Sequence, residues 1–96
     1  MTIWLVSRHP GAVKWMCTNK IAYDRHVSHL DPKLVQLGDV VIGSLPFNMA
    51  SEVCARGARY INLSVRLKAS DRGRELSAEQ LQEYQACLEE YIVTRA

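Results

Sequence analysis

The stretch Ile3-Trp4-Leu5-Val6-Ser7-Arg8-His9-Pro10-Gly11 decides how this chain is read. Four apolar residues, a polar turn, then proline and glycine opening a helical stretch describe a buried parallel strand handing over to a helix. A second copy follows, in which Val40-Val41-Ile42 runs into Gly43-Ser44-Leu45-Pro46. The polar residues of such turns lie at strand C-terminal ends, the side on which open α/β sheets bind ligands. Two turns of this kind, side by side, would aim two helix starts at one place.

Outward from these turns, Pro10 to about Thr18 is predicted as a helix, with Val13, Met16 and Cys17 on its apolar stripe and Trp15 off it. Residues 23–29, which carry Asp24, Arg25, His26 and His29, read as an edge strand. Leu30-Asp31-Pro32 breaks the chain, with Asp31 as a turn former, and the segment to Leu37 has room for one helical turn before Gly38-Asp39 opens the next strand. A helix from about Pro46 to Arg56 ends at Gly57, and Arg59 to Val65 alternates as a half-buried strand. A polar loop from Arg66 to Glu75 follows. Ser77 and Gln80 form a capping box for a last helix whose apolar stripe is Leu81, Tyr84, Leu88, Tyr91 and Ile92. The order β-α-β-β-α-β-α, with right-handed crossovers, predicts a single α/β domain over residues 1–96. It is a small three-layer Rossmann-like fold with a mostly parallel sheet in the strand order 2-1-3-4.

Composition agrees with one globular domain. The 96 residues are 48% hydrophobic and 23% charged, and a chain of this size hides roughly two-thirds of its unfolded surface. No apolar run is long enough for a membrane span, and Met1-Thr2-Ile3-Trp4 does not open a signal peptide, so the cytoplasm is the expected compartment. Cys17, Cys54 and Cys87 are far apart and are expected to be reduced, partly buried small hydrophobes. Net charge is only +2, but residues 1–74 hold eleven of the twelve Lys and Arg against five acids. Such a basic body can attract a polyanion, or its charges can simply be solvated.

The helix starts carry the chemistry. Ser77 caps the last helix, whereas the first two begin at prolines preceded by His9 and Leu45, neither a favoured N-cap. Their free N–H groups and partial positive charge suit a phosphate, unless Ser7, Ser44 or water satisfies them. Gly11 and Gly43 could let a ligand approach the backbone, although the dinucleotide fingerprint Gly-x-Gly-x-x-Gly and the Walker lysine motif are both absent. Arg8 offers a planar donor fork for phosphate, and Arg66, Lys68, Arg72 and Arg74 could fold over the same rim or remain solvated. His9 is the foremost acid/base candidate, with a structural turn histidine as the alternative, and His29 is the second. His26 and His29 would point to opposite faces of a strand, and no carboxylate cluster suggests magnesium, so no metal and no cofactor are expected.

Ser7-Arg8-His9-Pro10-Gly11-Ala12, Val27 to Pro32, Gly38 to Pro46 and Ala55 to Tyr60 together resemble the CRISPR-associated Csx-sixteen family, and the resemblance extends to Gly73-Arg74-Glu75-Leu76. It implies a homodimeric accessory protein of type III CRISPR systems, with a CRISPR-associated Rossmann-type fold, that degrades a cyclic oligoadenylate messenger as a ring nuclease. Cyclic tetra-adenylate is the implied ligand, and neither a membrane nor a long nucleic acid is an expected partner. With that ligand, His9 and Arg8 are the expected catalytic residues. Ser7, Gly11, His29, Gly43, Ser44, Leu45, Pro46, Arg72 and Arg74 are the expected binding residues. Two other classes of function stay open: a module that captures the messenger without cutting it, and a structural subunit that docks on a CRISPR complex through its acidic last helix.

Overall fold

The computed structural model describes residues 1–66 and 76–96. Its elements are β1 (Ile3–Val6), α1 (Pro10–Thr18), β2 (Arg25–Val27), a 3-10 turn (Pro32–Leu34), β3 (Val40–Gly43), α2 (Phe47–Ala55), β4 (Arg59–Ser64), α3 (Ala78–Glu83) and β5 (Cys87–Tyr91). They build an α/β domain with a five-stranded sheet in the order β2-β1-β3-β4-β5. β1 to β4 are parallel, and β5 runs antiparallel beside β4. The predicted order 2-1-3-4 is therefore present and is extended by one strand.

Alternation along the strands makes two cores. Trp4, Val6, Val41 and Tyr60 face α2 together with Leu30, Val35, Ala50, Val53 and Ala58. Leu5, Val40 and Ile42 face the other layer, formed by Ala12, Trp15 and Met16 of α1 and Ala78 and Leu81 of α3. Leu5, Met16, Val41 and Val53 are fully buried, each worth roughly 1.5–3 kcal/mol relative to exposure. Burial on both faces is why β1 and β3 read as continuous apolar runs.

Three expectations are corrected. The last helix stops at Glu83 and the chain becomes β5. Gln85 takes a left-handed φ of 57°, and the Ala86 N–H donates back to the Leu81 carbonyl at 2.9 Å, which closes the helix. Leu88 and Tyr91, placed on a helical stripe from sequence, instead occupy a strand that pairs the free edge of β4. Trp15 is buried, not off the stripe, because α3 packs over α1 and Gln82 Oε1 accepts from its indole Nε1 at 3.1 Å. Cys17 and Cys87 are exposed, and only Cys54 is half-buried.

Asp39 shows how the N-terminal ends of the central strands are tied. Its buried carboxylate accepts from the Thr2 N–H at 2.9 Å, the Gln36 N–H at 3.0 Å and the Trp4 indole at 3.2 Å. Those hydrogen bonds, led by Gln36, hold its pKa below the ordinary carboxylate value despite burial. At the opposite rim no comparable anchor among the described residues closes the crevice between β1 and β3. The chain leaves β1 toward β2 on one side and returns to β3 on the other, so this crevice is the topological switch point.

Candidate functional site at the rim of the central strands

A cavity of about 530 Å³ opens at the switch point. Ser7, Arg8 and His9 after β1, His29 after β2, and Gly43, Ser44, Leu45 and Pro46 after β3 all line it. These predicted site residues come from three separate turns of the sequence. Among the described residues no acidic side chain lines it, and the wall carries a guanidinium, two imidazoles and backbone against an apolar floor that includes Leu5, Ala12 and Leu63. Such a surface suits an anion with apolar substituents.

Each turn is held by hydrogen bonds to the neighbouring strand. The Ser7 hydroxyl accepts from the His9 N–H at 3.1 Å, and His26 Nε2 donates to the Ser7 carbonyl at 2.7 Å. His9 is extended (φ −101°, ψ 117°) and serves as the N-cap position of α1, yet no side chain among the described residues caps that helix. At the second turn Pro46, not a residue before it, is the N-cap position, and α2 begins at Phe47 without a side-chain cap. Ser44 does not cap α2 either, since its hydroxyl donates to the Leu63 carbonyl at 3.1 Å. The contrast with α3 is complete, where Ser77 and Gln80 exchange both capping-box bonds at 3.1 and 3.0 Å.

Both glycines are explained by packing. A side chain at Gly43 would meet the Val6 carbonyl oxygen at 2.6 Å, so the glycine lets β1 and β3 close up beneath the cavity. A Cβ at Gly11 would run into the backbone carbonyl of Leu76, and Gly11 lies outside the cavity lining. Its small size admits the chain leading into α3. Arg72 and Arg74, like Lys68, lie outside the described residues.

Tyr60 and Asn62 are the residues the sequence reading passed over. The Tyr60 hydroxyl accepts from the Leu45 N–H at 2.9 Å and lies 2.6 Å from Asn62 Oδ1 and 3.2 Å from the Gly43 carbonyl, so it clamps the second turn from below. Burial raises its pKa above the ordinary tyrosine value, which keeps it a neutral donor. The available signal was the row Tyr60, Asn62, Ser64 on one face of β4.

Comparison with known proteins adds the family. No curated protein matches the chain, and no solved structure does. The family model described as "Putative CRISPR-associated protein (Cas_VVA1548)" matches residues 4–94, a span that includes every turn lining the cavity. The protein described here belongs to that CRISPR-associated family.

Proposed function

We propose that the protein is a metal-independent ring nuclease of the Csx-sixteen kind, which binds cyclic tetra-adenylate and cuts it to linear di-adenylate ending in a 2′,3′-cyclic phosphate. The observation that supports this reading is the convergence of Arg8, His9, His29 and the start of α1 on one cavity at the switch point that, among the described residues, has no acidic lining group. Degrading such a messenger would switch off type III CRISPR signalling.

The chemistry needs a ribose 2′-hydroxyl held in line with the leaving 5′-oxygen of the adjacent phosphate. Alignment of this kind is worth roughly 7–11 kcal/mol. The 2′-oxygen forms a bond to phosphorus as the bond to the 5′-oxygen breaks, the 2′-proton is accepted by a base, and the 5′-oxygen leaves with a proton. His9 is assigned the proton delivered to the 5′-oxygen, and His29 is the candidate for the reverse transfer. Arg8 and the partial positive charge at the start of α1 stabilise charge on the phosphorane.

The test is incubation with cyclic tetra-adenylate in EDTA, at low and high enzyme ratio, with products separated by chromatography. Many turnovers to cyclic-phosphate di-adenylate are expected. An absolute need for magnesium overturns metal independence, and ligand retained uncut identifies a binding module.

A further inference from the structure

A second cavity, of about 590 Å³, adjoins the first and shares Ser44, Leu63 and Val65 with it. Its chemistry is different. Among the described residues one cation, Arg66, is matched by one carboxylate, Glu89, and the remaining polar groups include the side-chain amides of Asn62 and Gln85 and the phenol of Tyr91. A phosphate gains little beside Glu89. A flat heterocycle with donors and acceptors on its edge gains from amides, a carboxylate and an aromatic ring together. Two contiguous cavities, one for an anion and one for a neutral hydrogen-bonding ring, describe a nucleotide.

We infer that the cavity over β4 and β5 is a nucleobase subsite, which takes the base of the nucleotide whose phosphate lies at the switch point. The identity of the phosphate cavity rests on the function proposed above. Asn62 is preset for this task. Its amide is held on one side by the Tyr60 hydroxyl at 2.6 Å and on the other by Ser64 Oγ at 2.9 Å, and one N–H is left over. The Tyr91 hydroxyl donates to Glu89 Oε1 at 3.4 Å, so the second carboxylate oxygen is available to an exocyclic amine. The subsite therefore prefers an amino-bearing base to a keto one. Because Tyr60 also clamps the turn from Gly43 to Leu45, one hydroxyl fixes the positions of both cavities.

Adenosine 5′-monophosphate, inosine 5′-monophosphate and ribose 5-phosphate are the probes, titrated into the ¹⁵N-labelled protein. Adenosine monophosphate is expected to shift the side-chain amide signals of Asn62 and Gln85 together with the Leu45 N–H, whereas ribose 5-phosphate shifts only the turn. Gln85→Ala and Tyr91→Leu alter exposed positions and should weaken adenosine monophosphate about tenfold, the scale of one good base contact, without changing ribose 5-phosphate. Glu89→Gln should narrow the preference over inosine monophosphate. Equal affinity for all three probes, or silent Asn62 and Gln85 amides, overturns the subsite. Ring cleavage by the wild type in that event leaves the proposed activity standing; amide shifts without ring cleavage sink the activity and keep the subsite.

Discussion

At the scale of single residues, the first cavity separates roles that a contact map would merge. Arg8 and His9 are neighbours in the chain and both line the same wall, but they should fail differently. On the proposed activity Arg8→Ala removes a phosphate contact, so ring affinity should fall and the slope of log affinity against log salt should shrink by roughly 0.7, the single-strand value per phosphate. If His9 carries the proposed proton transfer, His9→Ala should lower kcat by about 10²–10⁴ while affinity is little changed. Steady-state kinetics beside equilibrium binding across a salt series measures both, and equal loss of kcat and affinity in His9→Ala would make it a turn residue instead. Tyr60→Phe keeps the buried ring and deletes only the hydroxyl. It strands the part-buried Leu45 N–H and should cost about 1 kcal/mol in urea unfolding, the net worth of one hydrogen bond. Asp39 holds two backbone N–H groups and an indole with a carboxyl whose folded pKa is depressed. Its contribution is present above the unfolded value of about 3.9 and disappears as pH falls through the folded value. Melting temperature should therefore fall more steeply with acid in the wild type than in Asp39→Asn, which starts less stable and flatter.

At the scale of elements, Gly11 links the site helix to the last helix. Its missing side chain makes room for the Leu76 carbonyl on the way into α3, so Gly11→Ala should cost about 1–3 kcal/mol by overpacking, readable as a lower urea midpoint with an unchanged slope. The elements that frame the cavity were legible because their signals are local. The run Ile3 to Val6, the pair Pro10-Gly11, the turn after Val40 to Gly43 and the capping box at Ser77 each carry their cause in a few adjacent residues. β5 was not legible, because Leu81, Tyr84, Leu88 and Tyr91 keep helical spacing and nothing local says that β4 needs a partner. The free edge of β4 is a tertiary fact, and it overrides the stripe. Trp15 was misread for the same reason, since the surface that buries it belongs to α3, more than sixty residues later. The site followed the same division: three turns were visible as turns, while Tyr60 and Asn62 acquire their meaning only when β4 lies beside β3.

At the scale of the whole molecule, the sheet puts the Asp39 anchor and the two cavities at opposite ends. Asp39 ties the N-terminal ends of the strands, and the C-terminal rim holds both cavities. One chain offers one such rim, with the starts of α1 and α2 directed at it. A ring of four equivalent phosphates has two-fold symmetry that a single rim cannot match, whereas two copies related by a two-fold axis present identical rims to opposite halves of it. The proposed activity therefore predicts one ring bound per two chains. Sedimentation of the protein with and without uncleaved ring, using His9→Ala to slow turnover, measures this directly. A two-chain complex saturating at half a ring per chain is the expected outcome. Saturation at one ring per chain, in a species of monomer mass, would mean that one rim suffices and that the two-fold match plays no part in recognition.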